Sequence, residues 1–229
     1  MSKARPAISH LRVLRSRTRQ STRAANRAES EIKGFWPRPG YLSHYVQEGK
    51  RLNFRPHNAE EANAIVHLFT SVFADSEGEA EGALIGKLAA DLFETTDHLD
   101  LFNYVAVDGD CVVASIFFTR LEFDNNRIVF ILAPVAVCSD RQRQGIGQDL
   151  ICHGLNDLTQ RGVDFVLTYG DPEFYRKVGF QQISPTETRA PFRLSQPEGW
   201  LGRSLNGQSI EALSGVCTCV NALNDPVYW

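Results

Sequence analysis

The chain is 229 residues long, 43% hydrophobic and formally −3 in charge. That suits one globular domain with its own core, with or without an appendage, and the lack of any apolar run of about 18 residues argues against a membrane-spanning helix. Five cysteines (Cys111, Cys138, Cys152, Cys217, Cys219) make an odd set without a Cys-x-x-Cys pair, and no apolar signal segment opens the chain, so a reducing, cytoplasmic setting is expected.

The charge is unevenly spread. Residues 1–34 carry nine Lys or Arg against Glu29 and Glu31, an excess of seven positive charges that leaves −10 on the remainder. This stretch is poor in large apolar residues and reads as a basic, disordered arm. A solvated tail, an Arg-rich presequence, an arm for nucleic acid or another anionic surface, and an over-extended start remain open for it. The body has no electrostatic reason to bind nucleic acid. In residues 35–50, Phe35, Trp36, Tyr41 and Tyr45 alternate with prolines and polar residues, as a linker or docking segment would, and residues 51–229 are expected to form a single domain.

Residues 51–56 predict a short strand stopped by Pro56. Asn58 followed by Glu61 is close to a capping box, and Ala62, Ile65, Val66, Phe69, Val72 and Phe73 recur at helical spacing. A Gly/Glu-rich break over residues 76–82 then leads to a second helix marked by Leu84, Ile85, Leu88 and Leu92. Residues 104–107 and 111–121 read as a hairpin around Asp108-Gly109-Asp110, and Asp124-Asn125-Asn126 turns the chain into the next strand.

That strand, residues 128–137, is a ten-residue apolar run rich in branched side chains. It empties into a polar loop closed by Gly145 and Gly147, and Ile146, Leu150, Ile151, Leu155 and Leu158 mark a helix beyond it. A helix N-terminus has unpaired N–H groups and a partial positive charge, so a glycine loop there can cradle an anionic phosphate. Gly162 ends this helix. Residues 163–168 predict a buried strand, and Asp171-Pro172 supplies an N-cap and a proline at the first position of a short helix ending at Gly179. A further strand is expected at 180–183. Beyond Pro185 the glycines and prolines, with Trp200, read as turns, leaving residues 216–220 as the clear strand.

Other glycine loops differ from this one. A dinucleotide fold places Gly-x-Gly-x-x-Gly after the first strand, and a nucleoside triphosphate loop ends in Gly-Lys-Ser/Thr. A purely structural glycine turn stays open. Cys217-Thr-Cys219 lacks the companion pair of a structural zinc site, so no metal is expected.

The order of elements, with Gln142-x-x-Gly145-x-Gly147 at the loop and Tyr175-x-x-x-Gly179-Phe180 28 residues further on, resembles the GNAT superfamily of acyl-CoA-dependent N-acyltransferases over about residues 52–184. The Gly-Asp-Pro before the tyrosine and the C-terminal extension look most like its YhbS-like bacterial branch. The resemblance implies a mixed α/β GNAT fold: a central, mostly antiparallel, twisted sheet of six to seven strands with a splayed central pair, flanked by about four helices. It implies acetyl-CoA as co-substrate, with Val135, Ala136 and Val137 presented to the pantetheine arm and an N–H near Val135 as oxyanion donor. Gln142, Arg143, Gln144, Gly145, Ile146, Gly147 and Gln148 would surround the diphosphate. Arg141 and Arg143 are either phosphate contacts or solvated loop residues.

Tyr175 is the implied general acid toward the departing CoA thiolate; the other reading is a tyrosine that anchors the short helix. The sequence departs from the family pattern twice. Nothing in 128–137 titrates, so the general base is unassigned, and the frequent asparagine seven residues before the tyrosine is Thr168. The implied reaction is acetyl transfer to a primary amine, small molecule or peptide, in a ternary complex, in an assembly compatible with a homodimer. An acyl-CoA-binding sensor or adaptor without turnover is the alternative.

Overall fold

The computed structural model describes residues 52–210, 213 and 215–229. The basic arm and the aromatic segment 35–50 lie outside them. Strand β1 (Asn53–Pro56) stops at its proline as expected. Glu61 then closes a capping box, accepting the Asn58 N–H at 2.7 Å while Arg55 grips both carboxylate oxygens at 2.7 and 2.8 Å. That cap leads into α1 (Ala62–Glu77), which buries Ile65, Leu68, Phe69, Val72 and Phe73 at helical spacing.

The expected seven-residue break after α1 shrinks to Gly78 alone, whose φ of 103° turns the chain directly into α2 (Glu79–Thr95). Gly82 is a helix residue. A Cβ there would lie 2.5 Å from the Thr70 carbonyl oxygen, so its lack of a side chain lets α1 and α2 approach closely. Composition alone reads such a glycine as a break, whereas its cause is helix packing.

Hairpin β2 (Leu101–Asp108) and β3 (Cys111–Phe123) leads to β4 (Val129–Val137), α3 (Ile146–Gln160), β5 (Phe165–Tyr169) and the short α4 (Pro172–Tyr175). Asp171 caps α4 through the Glu173 N–H, and a 3-10 turn at Arg176–Val178 ends at Gly179, whose φ is 81°. Then follow β6 (Gln181–Gln182), β7 (Thr188–Arg189), β8 (Trp200–Ser204) and β9 (Gly215–Cys219). The described sheet has nine strands where six to seven were expected: seven run in the order β1-β2-β3-β4-β5-β8-β6, and β9 pairs with β3 and β7 with β9 off this path. Along the path the neighbours are antiparallel except for β4 and β5.

Strand β8 corrects the turn expected there. It pairs along its whole length with β5, with Gly202 opposite Leu167. A Cβ on Gly202 would meet Ile210 Cδ1 at 2.3 Å and Leu167 Cδ2 at 3.0 Å, so the glycine marks close approach within a sheet. Two cores result. One lies under α1, α2 and the C-terminal segment; the other lies under α3 and α4.

Candidate functional site

Strand β4 carries an irregularity that organises the site. Register with β3 matches Phe118 to Leu132 and Ile116 to Val135, so Phe117 faces both Ala133 and Pro134, and the extra residue is a bulge at the proline. Proline has no N–H for the ladder, so regular pairing is interrupted at Pro134. A one-residue insertion exchanges the faces of every later side chain. Val129, Ile131 and Ala133 face the α1–α2 core and Phe130 and Leu132 the α3 core; after the bulge Ala136 joins the former while Val135 and Val137 pack against the latter.

The bulge also turns the peptide groups. The Cys138 N–H bonds the Val113 carbonyl of β3 at 2.8 Å, and in an antiparallel ladder peptide groups alternate in direction. Ala136 therefore points to β3, and Val135 and Val137 point away from it. Strand β5 would meet them there, but its pairing with β4 ends at Ile131 opposite Leu167. The strands splay, and Val135 and Val137 become half-buried while Ala136 between them stays buried. Of the three β4 residues expected at the pantetheine, two turn into the opening and Ala136 turns from it.

The splay opens onto the glycine loop. After a 3-10 turn at Ser139–Arg141, Gln142 donates its side-chain N–H to the Val137 carbonyl at 3.1 Å, folding the loop back on its strand. Arg143 and Gly145 are left-handed, with φ of 63° and 85°. Gly145 occupies the N-cap position of α3 without a side-chain cap, so the first-turn N–H groups, including those of Ile146, Gly147 and Gln148, are available to an anion. A Cβ on Gly145 would meet nothing, so this glycine serves the backbone angle, whereas one on Gly147 would press on Val137 Cγ2 at 3.3 Å. Arg143 and Gln144 are exposed and Gln148 is half-buried. The Arg141 guanidinium, 39% exposed, pairs with Asp108 at 2.8 Å.

Tyr175 stands across the splay. It is 2% exposed, with its ring edge-on to Phe174 and Phe180. Its hydroxyl meets Thr168, whose own proton goes to the Leu132 carbonyl at 2.9 Å, just past the last β4–β5 pair. Thr168 thus ties the tyrosine to the point where the strands part. The sequence marks Thr168 only as a departure from the family's asparagine; its tie to Leu132 joins residues 36 apart and has no local signal. Burial pushes the Tyr175 phenol up to about 12, and the nearby Asp171 carboxylate adds to the rise. Transfer of its proton to a thiolate of ordinary pKa is then uphill by about 5 kcal/mol, against about 2 for an unperturbed tyrosine. The arrangement favours hydrogen-bond donation over full proton transfer.

Among the described residues, no cluster of three or more His, Cys, Asp or Glu is disposed to hold a metal ion, and no helix is long and apolar enough to cross a membrane.

Residues 53–183 match the family model for the acetyltransferase (GNAT) domain. The uncharacterized N-acetyltransferase YhbS of Escherichia coli K12 is 30% identical over 115 residues, which span 49% of this chain and 65% of that protein, less than two thirds of its length. YjhQ of the same organism, also an uncharacterized N-acetyltransferase, is 28% identical over 140 residues, covering 58% of this chain and 77% of that protein. Among solved structures, E. coli YhbS in complex with CoA superposes with a TM-score of 0.68 at 24% identity, over 80% of this chain and 97% of that one. A GNAT acetyltransferase of Brucella melitensis in complex with acetyl-CoA gives 0.57 at 20% identity, over 76% of this chain and 98% of that one. These two likenesses establish the fold.

Proposed function

Because this chain belongs to the GNAT acetyltransferase family, we propose that it transfers an acetyl group from acetyl-CoA to a primary amine by direct attack within a ternary complex. The observation that carries this reading is the splay itself. Peptide groups of Val135 and Val137 face an opening left by β5, and that opening leads to the uncapped N-terminus of α3. An extended pantetheine arm can pair with the exposed strand while the loop N–H groups receive the diphosphate. The CoA-bound and acetyl-CoA-bound relatives of the same fold support this assignment.

In the proposed reaction the amine nitrogen forms a bond to the thioester carbonyl carbon, and the carbon–sulfur bond breaks. The Val135 N–H is the candidate donor to the developing oxyanion, and Tyr175 donates a hydrogen bond to the departing sulfur. The amine's proton leaves to a base that no β4 side chain supplies.

A second reading, an acyl-CoA sensor without turnover, is supported by the burial of the Tyr175 hydroxyl and its commitment to Thr168. Two measurements separate the readings. Calorimetric titration with CoA tests the site, and thiol release from acetyl-CoA with a panel of amines tests turnover. Binding with release supports the transferase, binding without release the sensor, and no binding removes both.

A further inference from the structure

We propose that Asp108, at the β2–β3 turn, is a positioning residue for the CoA diphosphate, acting through Arg141 to hold loop 142–147 in its binding shape. The inference rests on the acetyl-CoA reading above.

The loop needs external support. A left-handed backbone at Arg143 brings its Cβ against the following carbonyl and persists only where surroundings impose it. Among the described residues, three side-chain hydrogen bonds tie the loop or the turn before it to residues outside them. Ser139 donates to Asp75 of α1 at 2.7 Å, but both groups are exposed, and such a contact adds little. Gln142 bonds the Val137 carbonyl only five residues away, which shapes the loop without anchoring it to another part of the sheet. The Arg141–Asp108 pair joins the residue before the loop to a different hairpin, 33 residues away.

Burial decides which tether matters. The Asp108 side chain is 5% exposed, and a buried carboxylate that loses an ion-pair partner is destabilised. Arg141, 39% exposed, is therefore held at one place on the sheet. Its backbone is held too: the Arg141 N–H bonds the Cys138 carbonyl at 2.8 Å, and Cys138 is bonded to Val113 of β3. Geometry committed before binding spares the ligand the cost of ordering the loop.

Coulomb's law makes the proposal discriminating. A carboxylate close to a diphosphate site repels the ligand, so removing its charge should tighten CoA binding if Asp108 acts only through its field. If Asp108 acts as a tether, removing it should weaken binding. The two effects have opposite signs.

The test uses the full chain with Asp108→Asn, Arg141→Met, Arg141→Lys and the Asn/Met double variant. CoA affinity is measured by calorimetry, and KM and kcat with acetyl-CoA and with acetyl-pantetheine, which lacks the diphosphate. Asp108→Asn and Arg141→Met should each weaken CoA binding about fivefold or more. The double variant should be no worse than the poorer single, and Arg141→Lys should recover part of the loss. KM for acetyl-CoA should rise while that for acetyl-pantetheine stays within about twofold, with kcat at saturation little changed. Equal or tighter CoA binding by Asp108→Asn, or losses that simply add, would overturn the proposal. Should Asp108→Asn fail to fold, Arg141→Met with undiminished CoA affinity overturns it equally. Wild-type protein that does not bind CoA removes the parent reading and this one together; wild-type binding with indifferent variants removes this one alone.

Discussion

At the scale of single residues, Tyr175 has two jobs that one atom distinguishes. Its ring fills the core beneath α3, and its hydroxyl meets Thr168 at the strand parting. Tyr175→Phe keeps the ring and deletes the hydroxyl. If that hydroxyl supports the leaving sulfur, kcat should fall about ten- to a hundredfold while the CoA dissociation constant moves less than about twofold. Steady-state kinetics beside calorimetry would check it; an unaltered kcat leaves Tyr175 as a packing residue. The tyrosine was legible from its place in the Tyr-x-x-x-Gly-Phe signature. Its burial was not, because Phe180, Phe174 and Thr168 surround it only once α4 folds against β5. Arg141 and Arg143 make the same point: two positions apart in one loop, they look alike in sequence, yet one is bound to a buried carboxylate and the other is exposed.

At the scale of elements, local signals were the most reliable. The capping box before α1 was readable because all its parts lie within a few residues, and the structure adds the Arg55 grip on Glu61. The Arg55 hydrogen bonds hold the Glu61 carboxyl down at about 2, from an ordinary value of 4.5. A depressed carboxylate contributes stability that is complete above its unfolded-state pKa and lost as pH falls toward the folded value. The urea midpoint should therefore drop between about pH 5 and about pH 2, and Glu61→Gln should flatten part of that drop; an identical slope in the variant would show that the pair contributes nothing. Helix α3 offers a second test. A Cβ on Gly154 would lie 2.6 Å from Phe118 Cε2 and 3.1 Å from Tyr104 Cδ2, so the helix lies on the sheet at glycine distance. Gly154→Ala, favourable for an isolated helix, should instead destabilise the protein by about 1–3 kcal/mol in denaturant unfolding. Gly82 and Gly202 share the packing cause, yet in sequence each reads as a break or turn until the facing element is known.

At the scale of the whole molecule, the cleft is a property of the sheet. Strands β4 and β5 part beyond the last parallel pair at Ile131, where β4 carries the bulge at Pro134 while β5 stays paired with β8 on its other edge. A ligand seated in such a seam binds the folded chain only, so CoA should raise the melting temperature. At about a hundred times its dissociation constant the gain is about 2.7 kcal/mol, or roughly 5–10 °C for a domain of this size. A thermal-shift series in CoA would check this, and a flat series would contradict the site. What the sequence determined by itself was whatever depends on near neighbours: helical spacing, caps, the glycine loop before α3, the order of elements as far as β6, and the two signatures of the GNAT family. What only the tertiary structure decided was whatever depends on register between distant strands: β8 beside β5, the exchange of faces after Pro134, Thr168 beneath Tyr175, and Asp108 beneath Arg141. The physical reason is range. A cap or a helical stripe is stabilised within a turn or two of chain, whereas a strand's partner is chosen by burial across the whole sheet, and nothing in either segment alone records that choice.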